Sequence, residues 1–279
     1  MQHTHISVPT SFIDANGHRY AYRRFGSGKG VPLIFLQHFR GGMDHWDPLI
    51  TDGLAQGRTV ILFDNAGVAA SSGATPDTIE AMADHVALFL GALGYAEVDV
   101  LGFSLGGYVA QQVAFRHAHL VRRLVLAGTG PRAGVLGTDA RVVPAATGNP
   151  IPTLEDFLIL FFGPSDASQA AGRAFWERRH WRTADLDVPS SQQTMMSQLA
   201  AIAAWRQPKG EPYAELKVLR QPTLVVNGSD DIMVPTINSY NLAQHIPNAQ
   251  LIIYPDSGHG AHFQYPALFL QHVGIFLDA

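Results

Sequence analysis

Short apolar runs punctuate the chain at Leu33–Leu36, Val60–Phe63, Val98–Leu101, Leu124–Ala127, Leu224–Val226 and Leu251–Tyr254. Runs this short, and this rich in Val, Ile and Leu, read as strands buried on both faces, as in a parallel sheet. Ahead of them, two polar–apolar alternating stretches flank Asn16-Gly17, a dipeptide suited to a tight hairpin turn. Amphipathic helices fill several of the intervals. The clearest places Ile79, Met82, Val86, Phe89, Leu90 and Leu93 on one stripe, with Asp77 and Glu80 spaced as a capping box at its start. Strand alternating with helix predicts an α/β fold with a mostly parallel, doubly wound sheet and right-handed crossovers.

The alternation fails once. From Pro131 to Leu219 no convincing buried strand occurs, yet the segment is too long for a bare loop. Its first part, to Pro152, is rich in Gly and Pro; its later part carries helical runs around Phe157–Phe162, Ala170–His180 and Gln192–Trp205. The expectation is a core domain built from 1–130 and 220–279, with 131–219 as a helical insertion over one edge of the sheet.

Composition narrows the function. The chain has 279 residues, 47% apolar and only 15% charged, so a sizeable core is affordable and wholesale disorder is not expected. Its net charge is −4, from 19 Lys and Arg against 23 Asp and Glu, and it has no basic run of five or more, so nucleic acid is not an expected partner. The absence of cysteine removes thiol nucleophiles, thiolate metal sites and disulfides, and leaves the redox compartment undetermined. Met1 to Thr10 is polar, without the apolar stretch of a signal peptide, and no apolar run approaches the ~18 residues of a membrane span. A cytoplasmic protein acting on a small-molecule substrate, without a membrane partner, is the default expectation. Oligomeric state is not readable.

The chemistry begins where Val98–Leu101 runs into Gly102-Phe103-Ser104-Leu105-Gly106-Gly107. This is G-x-S-x-G between a buried strand and a helical stretch, Tyr108–Phe115. A strand reversing so sharply into a helix strains the serine's backbone and leaves no room for neighbouring side chains, which explains the glycines. The hydroxyl is left exposed at a helix N-terminus, where the Leu105 N–H points at a developing oxyanion. A serine nucleophile needs a base, and a histidine base an orienting acid. Among 13 histidines, His259 stands out because it follows the Leu251–Tyr254 strand in the loop Pro255-Asp-Ser-Gly-His259-Gly. Loops at strand C-termini are where α/β sheets place their chemistry. His262 is the rival, read as a helix-entry or supporting histidine. The acid should also end a strand; Thr223–Val226 leads to Asp230 and Asp231, between which the residues alone do not choose.

Gly102–Gly107, the Gly-x-x-Asp-x-x-Val-Pro stretch from Gly228 to Pro235, and Ser257-Gly-His259 together resemble the three catalytic segments of the α/β-hydrolase family, in that family's order. The resemblance spans nearly the whole chain outside the insertion. It implies Ser104 as nucleophile, His259 as base and Asp231 as acid, with no cofactor and no metal. The family's His-Gly-x oxyanion segment is replaced by Gln37-His38-Phe39, which implies the Phe39 N–H as second donor beside Leu105. His38 could face the pocket or serve packing. Phe63-Asp64-Asn-Ala-Gly67 and Ser71 resemble a structural loop of the family. The insertion resembles its variable cap, where Trp176, Trp181 and Trp205 are candidates for pocket walls or for a small core of the cap itself. Arg173, Arg178, Arg179 and Arg182 read as a solvated helix face, with a substrate carboxylate as the alternative ligand.

The implied activity is hydrolysis of a small to medium, largely apolar ester or lactone through an acyl-enzyme on Ser104. Carbon–carbon bond hydrolysis and cofactor-free perhydrolysis use the same triad, and a small-ligand receptor retaining a slow triad is the non-enzyme alternative. A short-chain dehydrogenase is excluded by order, because the glycine motif that should open such a chain follows Asn65 instead. No H-E-x-x-H occurs, which removes that route to a metal hydrolase.

Overall fold

The computed structural model describes residues 3–279, so two of the ten residues read for a leader lie outside the described part. A hairpin opens the chain: β1 (Ser11–Ala15) turns at Asn16 and Gly17, both at positive φ, into β2 (His18–Gly26). Then follow β3 (Leu33–Leu36), α1 (Pro48–Ala55), β4 (Thr59–Phe63), α2 (Ile79–Ala92), β5 (Val98–Phe103), α3 (Leu105–Arg116) and β6 (Val121–Ala127). The inserted region supplies α4 (Val142–Thr147), α5 (Leu154–Phe161), α6 (Asp166–Arg179), α7 (Gln192–Trp205) and α8 (Ala214–Lys217). The chain closes with β7 (Thr223–Gly228), α9 (Ile237–His245), β8 (Ala249–Tyr254), α10 (Ala261–Gln264) and α11 (Pro266–Asp278).

The eight strands form one sheet in the order β1-β2-β4-β3-β5-β6-β7-β8, antiparallel at β1–β2 and β2–β4 and parallel elsewhere. Alternation along the buried strands feeds two cores. Leu33, Phe35, Val60 and Leu62 point to the face covered by α1 and α11, where they meet Leu54, Phe269 and Val273. Ile34, Leu36, Ile61 and Phe63 point to the other, meeting Met82, Val86, Val109 and Val113 of α2 and α3. This is the doubly wound sheet with an inserted helical region that the pattern predicted.

Two local expectations are corrected. The α2 cap is Thr78, not Asp77: its hydroxyl accepts from Ala81 N at 3.2 Å, and Glu80 is taken instead by Arg132 and Lys209. The inserted helices also do not build a core of their own. Phe157, Phe161 and Phe175 join the α1/α11 core, with Phe175 stacked 4.0 Å from Phe263. Ala201, Trp205, Leu216 and Leu219 join the α2/α3 core, with Trp205 stacked 5.3 Å from Tyr108.

Candidate active site

Because β3, β5, β7 and β8 run parallel, their C-terminal ends share one edge of the sheet, and the loops that follow carry Phe39, Ser104, Asp231 and His259. Ser104 sits between β5 and α3 at φ 55°, ψ −118°, a conformation costing a non-glycine residue about 1–3 kcal/mol. The neighbouring glycines are needed for space. A Cβ on Gly102 would lie 2.3 Å from the Gly106 oxygen, and one on Gly106 only 2.0 Å from the Leu36 oxygen.

The two aspartates have different surroundings. Asp231 is 6% exposed and accepts from His259 Nδ1 at 2.7 Å through Oδ2. Its Oδ1 accepts from the backbone N–H groups of Met233 (2.8 Å) and Val234 (2.9 Å). Asp230 is exposed and, among the described residues, its carboxylate accepts only from the Ser229 hydroxyl, at 2.5 Å. His259 therefore donates from Nδ1, leaving Nε2 as the lone-pair nitrogen. That atom is shielded from solvent and has no hydrogen-bond partner; no bond joins it to Ser104. The ring lies 5.0 Å from that of Phe103, the residue before Ser104, and is stacked 5.7 Å from Phe161 of α5. His262 is buried edge-on against Phe103 and meets no carboxylate; burial holds its imidazole well below the ordinary range.

The backbone donors are sorted by what is already engaged. From residue 38 to 43, the N–H groups of His38, Arg40, Gly41, Gly42 and Met43 all have acceptors, namely Gln37 Oε1, Gln198 Oε1, His38 O, His45 Nδ1 and Asp64 Oδ1. Among the described residues, the Phe39 N–H finds none. Leu105, the first residue of α3, likewise has a free N–H, as helix starts must. Asp64, between Met43 N and the Ser71 hydroxyl, ties loops together.

Ser104, His38 and Phe39 line a chamber of about 30 Å³, walled by Ala145, Ala146, Phe157, Leu160 and Phe161 of the insertion. It shares Arg40, His45 and Pro152 with an outer cavity of about 200 Å³ reaching Arg179. A separate cleft of about 160 Å³, lined by Gln111, Arg132 and Glu215, holds none of these residues. His38 Nδ1 donates to Phe39 O at 2.8 Å, and burial, joined by the nearby Arg179 charge, brings its pKa down to about 3, so the ring is neutral.

None of the three candidate tryptophans lines the chamber. Trp205 is 2% exposed and packed beneath Arg132, Trp176 sits behind Phe157, and Trp181 is half exposed. The arginines are not one solvated face either. Arg178 clasps buried Asp47 through three contacts of 2.6–3.1 Å, and Arg182 binds Asp185 and the His5 oxygen. Only Arg173 is exposed as read. Among the described residues Arg179 makes no ion pair; its guanidinium lies over Phe157 (4.6 Å) and Trp176 (4.9 Å), with Nε and Nη1 unpartnered, and burial lowers its pKa to about 10.

Comparison with known proteins agrees with this architecture. The sequence profile of the alpha/beta hydrolase fold matches residues 31–266. The chain belongs to the alpha/beta hydrolase fold family. Among solved structures, an alpha/beta hydrolase fold protein from Chitinophaga pinensis superposes with a TM-score of 0.91 at 41% identity, covering 99% of this chain and 100% of that one. Est816, described as an N-acyl homoserine lactone degrading enzyme, superposes with a TM-score of 0.71 at 25% identity, covering 95% and 100%. A 2-hydroxymuconate semialdehyde hydrolase from a Pseudomonas species is 29% identical over 255 residues, 90% of this chain and 88% of that protein. No helix among the described residues of this alpha/beta hydrolase fold protein is long and apolar enough to cross a membrane.

Proposed function

We propose that this chain is a serine hydrolase that cleaves a largely apolar ester or lactone, with residues 131–219 acting as the cap that selects the substrate. The observation that carries the reading is the Asp231–His259 bond beside a strained Ser104, with the Phe39 and Leu105 N–H groups both free. Ser104 attacks the substrate carbonyl while His259 Nε2 takes its proton. Asp231 holds the proton on Nδ1 and stabilises the imidazolium that forms. The oxyanion is met by the two backbone N–H groups, whose dipoles need no reorganisation. His259 then returns the proton to the departing oxygen, and water repeats the sequence on the acyl-enzyme. A Ser–His bond that forms only with substrate bound is ordinary in ligand-free hydrolases. The chamber of about 30 Å³ shares Arg40, His45 and Pro152 with the outer cavity of about 200 Å³, which offers the substrate its larger space.

A second reading, carbon–carbon bond hydrolysis on the same triad, is favoured by one observation. Arg179, without an ion pair beside the outer cavity, suits an anionic substrate such as the one named for the Pseudomonas relative. A fluorophosphonate probe should label Ser104 alone, and Ser104→Ala should abolish labelling and turnover. Labelling of another serine in active protein sinks the assignment. A panel of p-nitrophenyl esters, lactones and carboxylate-bearing vinylogous diketones separates the two readings. Multiple turnovers on any member exclude a receptor that cleaves once and holds its product.

A further inference from the structure

We propose that Arg40 and Gln198 are positioning residues for the Phe39 N–H, so that the inserted helices complete the oxyanion-binding edge of the site. The inference rests on the reading of Ser104 as nucleophile and of the Phe39 N–H as an oxyanion donor. Arg40 has φ 61°, in the left-handed region that favours glycine, and glycines follow it at 41 and 42. A side chain retained in such a conformation points to a use for that side chain. All of its polar groups but Nε turn to the insertion. Its N–H donates to Gln198 Oε1 of α7 at 2.7 Å, and its carbonyl accepts from the Ser190 hydroxyl at 2.9 Å. Nη1 donates to the Ala146 oxygen at 2.9 Å, and Nη2 to the oxygens of Asn149, at 3.0 Å, and Pro150.

The consequence falls on Phe39. The Phe39–Arg40 peptide is gripped at both ends: its oxygen accepts from His38 Nδ1 and its N–H donates to Gln198. The preceding peptide is fixed through its oxygen, which accepts from Gly41 N at 3.0 Å, and its own N–H, that of Phe39, has no acceptor among the described residues. Gln198 thus holds the peptide next to the one that carries the oxyanion donor, and acts on that donor across the Phe39 Cα. Arg40 carries the same constraint to Ala146, a wall of the Ser104 chamber. Chamber wall and oxyanion donor cannot shift independently.

A plain cap staple and a positioning role differ in kinetics. An oxyanion contact strengthens only as negative charge develops on the carbonyl oxygen, so its misalignment lowers kcat; a loosened wall weakens ground-state binding and raises KM. Arg40→Met and Gln198→Met, made in the full chain, are measured on the best ester of the panel. Both should lose about 10- to 100-fold in kcat, short of the ~10²–10³ for deleting an oxyanion donor outright; KM should stay within about twofold in Gln198→Met and rise in Arg40→Met, which also frees the Ala146 wall. Affinity for a trifluoromethyl ketone, which forms an oxyanion on Ser104, should fall in step with kcat. Full kcat in Gln198→Met, or a loss carried wholly by KM in both variants, overturns the proposal. If Arg40→Met does not fold, Gln198→Met, which removes a single acceptor, decides alone. Turnover surviving in Ser104→Ala would instead sink the reading on which this inference rests.

Discussion

Replacing Asp231 by Asn probes the site with one atom. The carboxylate uses both oxygens: Oδ1 accepts from Met233 and Val234 N–H, and Oδ2 accepts from His259 Nδ1 at 2.7 Å. An asparagine cannot turn its NH₂ toward two backbone donors, so its oxygen stays at the Oδ1 position and its NH₂ faces His259. A donor facing Nδ1 forces the ring proton onto Nε2, the nitrogen that should receive the serine's proton. The fold is unchanged but the tautomer is wrong. A wrong tautomer of this kind costs roughly 10⁴-fold in kcat, which at ~1.36 kcal/mol per decade is about 5.4 kcal/mol of transition-state stabilisation. Asp230→Asn, at an exposed carboxylate joined only to Ser229, should cost less than about tenfold. The assay is p-nitrophenyl ester turnover, normalised to sites titrated with a fluorophosphonate, with circular dichroism to verify folding. Asp231→Asn retaining a tenth of wild-type kcat would refute the tautomer argument, and a larger loss at Asp230 would move the acid there.

Trp205→Ala should destabilise by about 3–5 kcal/mol, because the ring is buried against Tyr108, and should leave the ranking of substrates unchanged. Phe157→Ala, by contrast, enlarges the Ser104 chamber and should shift kcat/KM toward bulkier acyl groups by about 1–3 kcal/mol; thermal melts run beside the substrate panel check both, and a re-ranked panel in Trp205→Ala would contradict the placement. His5 is buried against Thr51, and burial brings its pKa down to about 3. A depressed imidazole adds stability above its unfolded pKa near 6.5 that is lost as pH falls from there toward 3. His5→Gln should therefore flatten the loss of stability between pH 7 and 5 by about 2 kcal/mol. Chemical denaturation at both pH values tests this, with parallel wild-type and variant curves as the refuting result.

Much of the fold was legible because its signals are local. Each buried strand announces itself in a few Val, Ile and Leu, and the turn at Ser104 needs glycines that the chain spells out in order. The choice between Asp230 and Asp231 was not local. It depends on which carboxylate is turned inward by Met233 and Val234, and only resemblance pointed to it. The chamber walls were harder still. Phe157, Leu160 and Ala146 lie on helices whose apolar residues face two directions, toward the sheet and toward Ser104, and periodicity does not tell these apart. The tryptophans drew attention by size, yet large aromatic rings fill cores as readily as they line pockets. The engagement of Arg178 with Asp47 spans 131 positions of sequence and leaves no trace in either neighbourhood.

The two stacks that bind the insertion to the rest of the molecule, Phe175 on Phe263 and Trp205 on Tyr108, have a consequence for engineering. A module that shares its interior with its host is not interchangeable cargo. A chimaera that imported the 131–219 stretch of another hydrolase would leave Phe263 and Tyr108 facing unmatched surfaces, one on each side of the sheet. Redesigning specificity in this scaffold is better done by editing the few residues around Ser104 in place than by transplanting the segment that carries them.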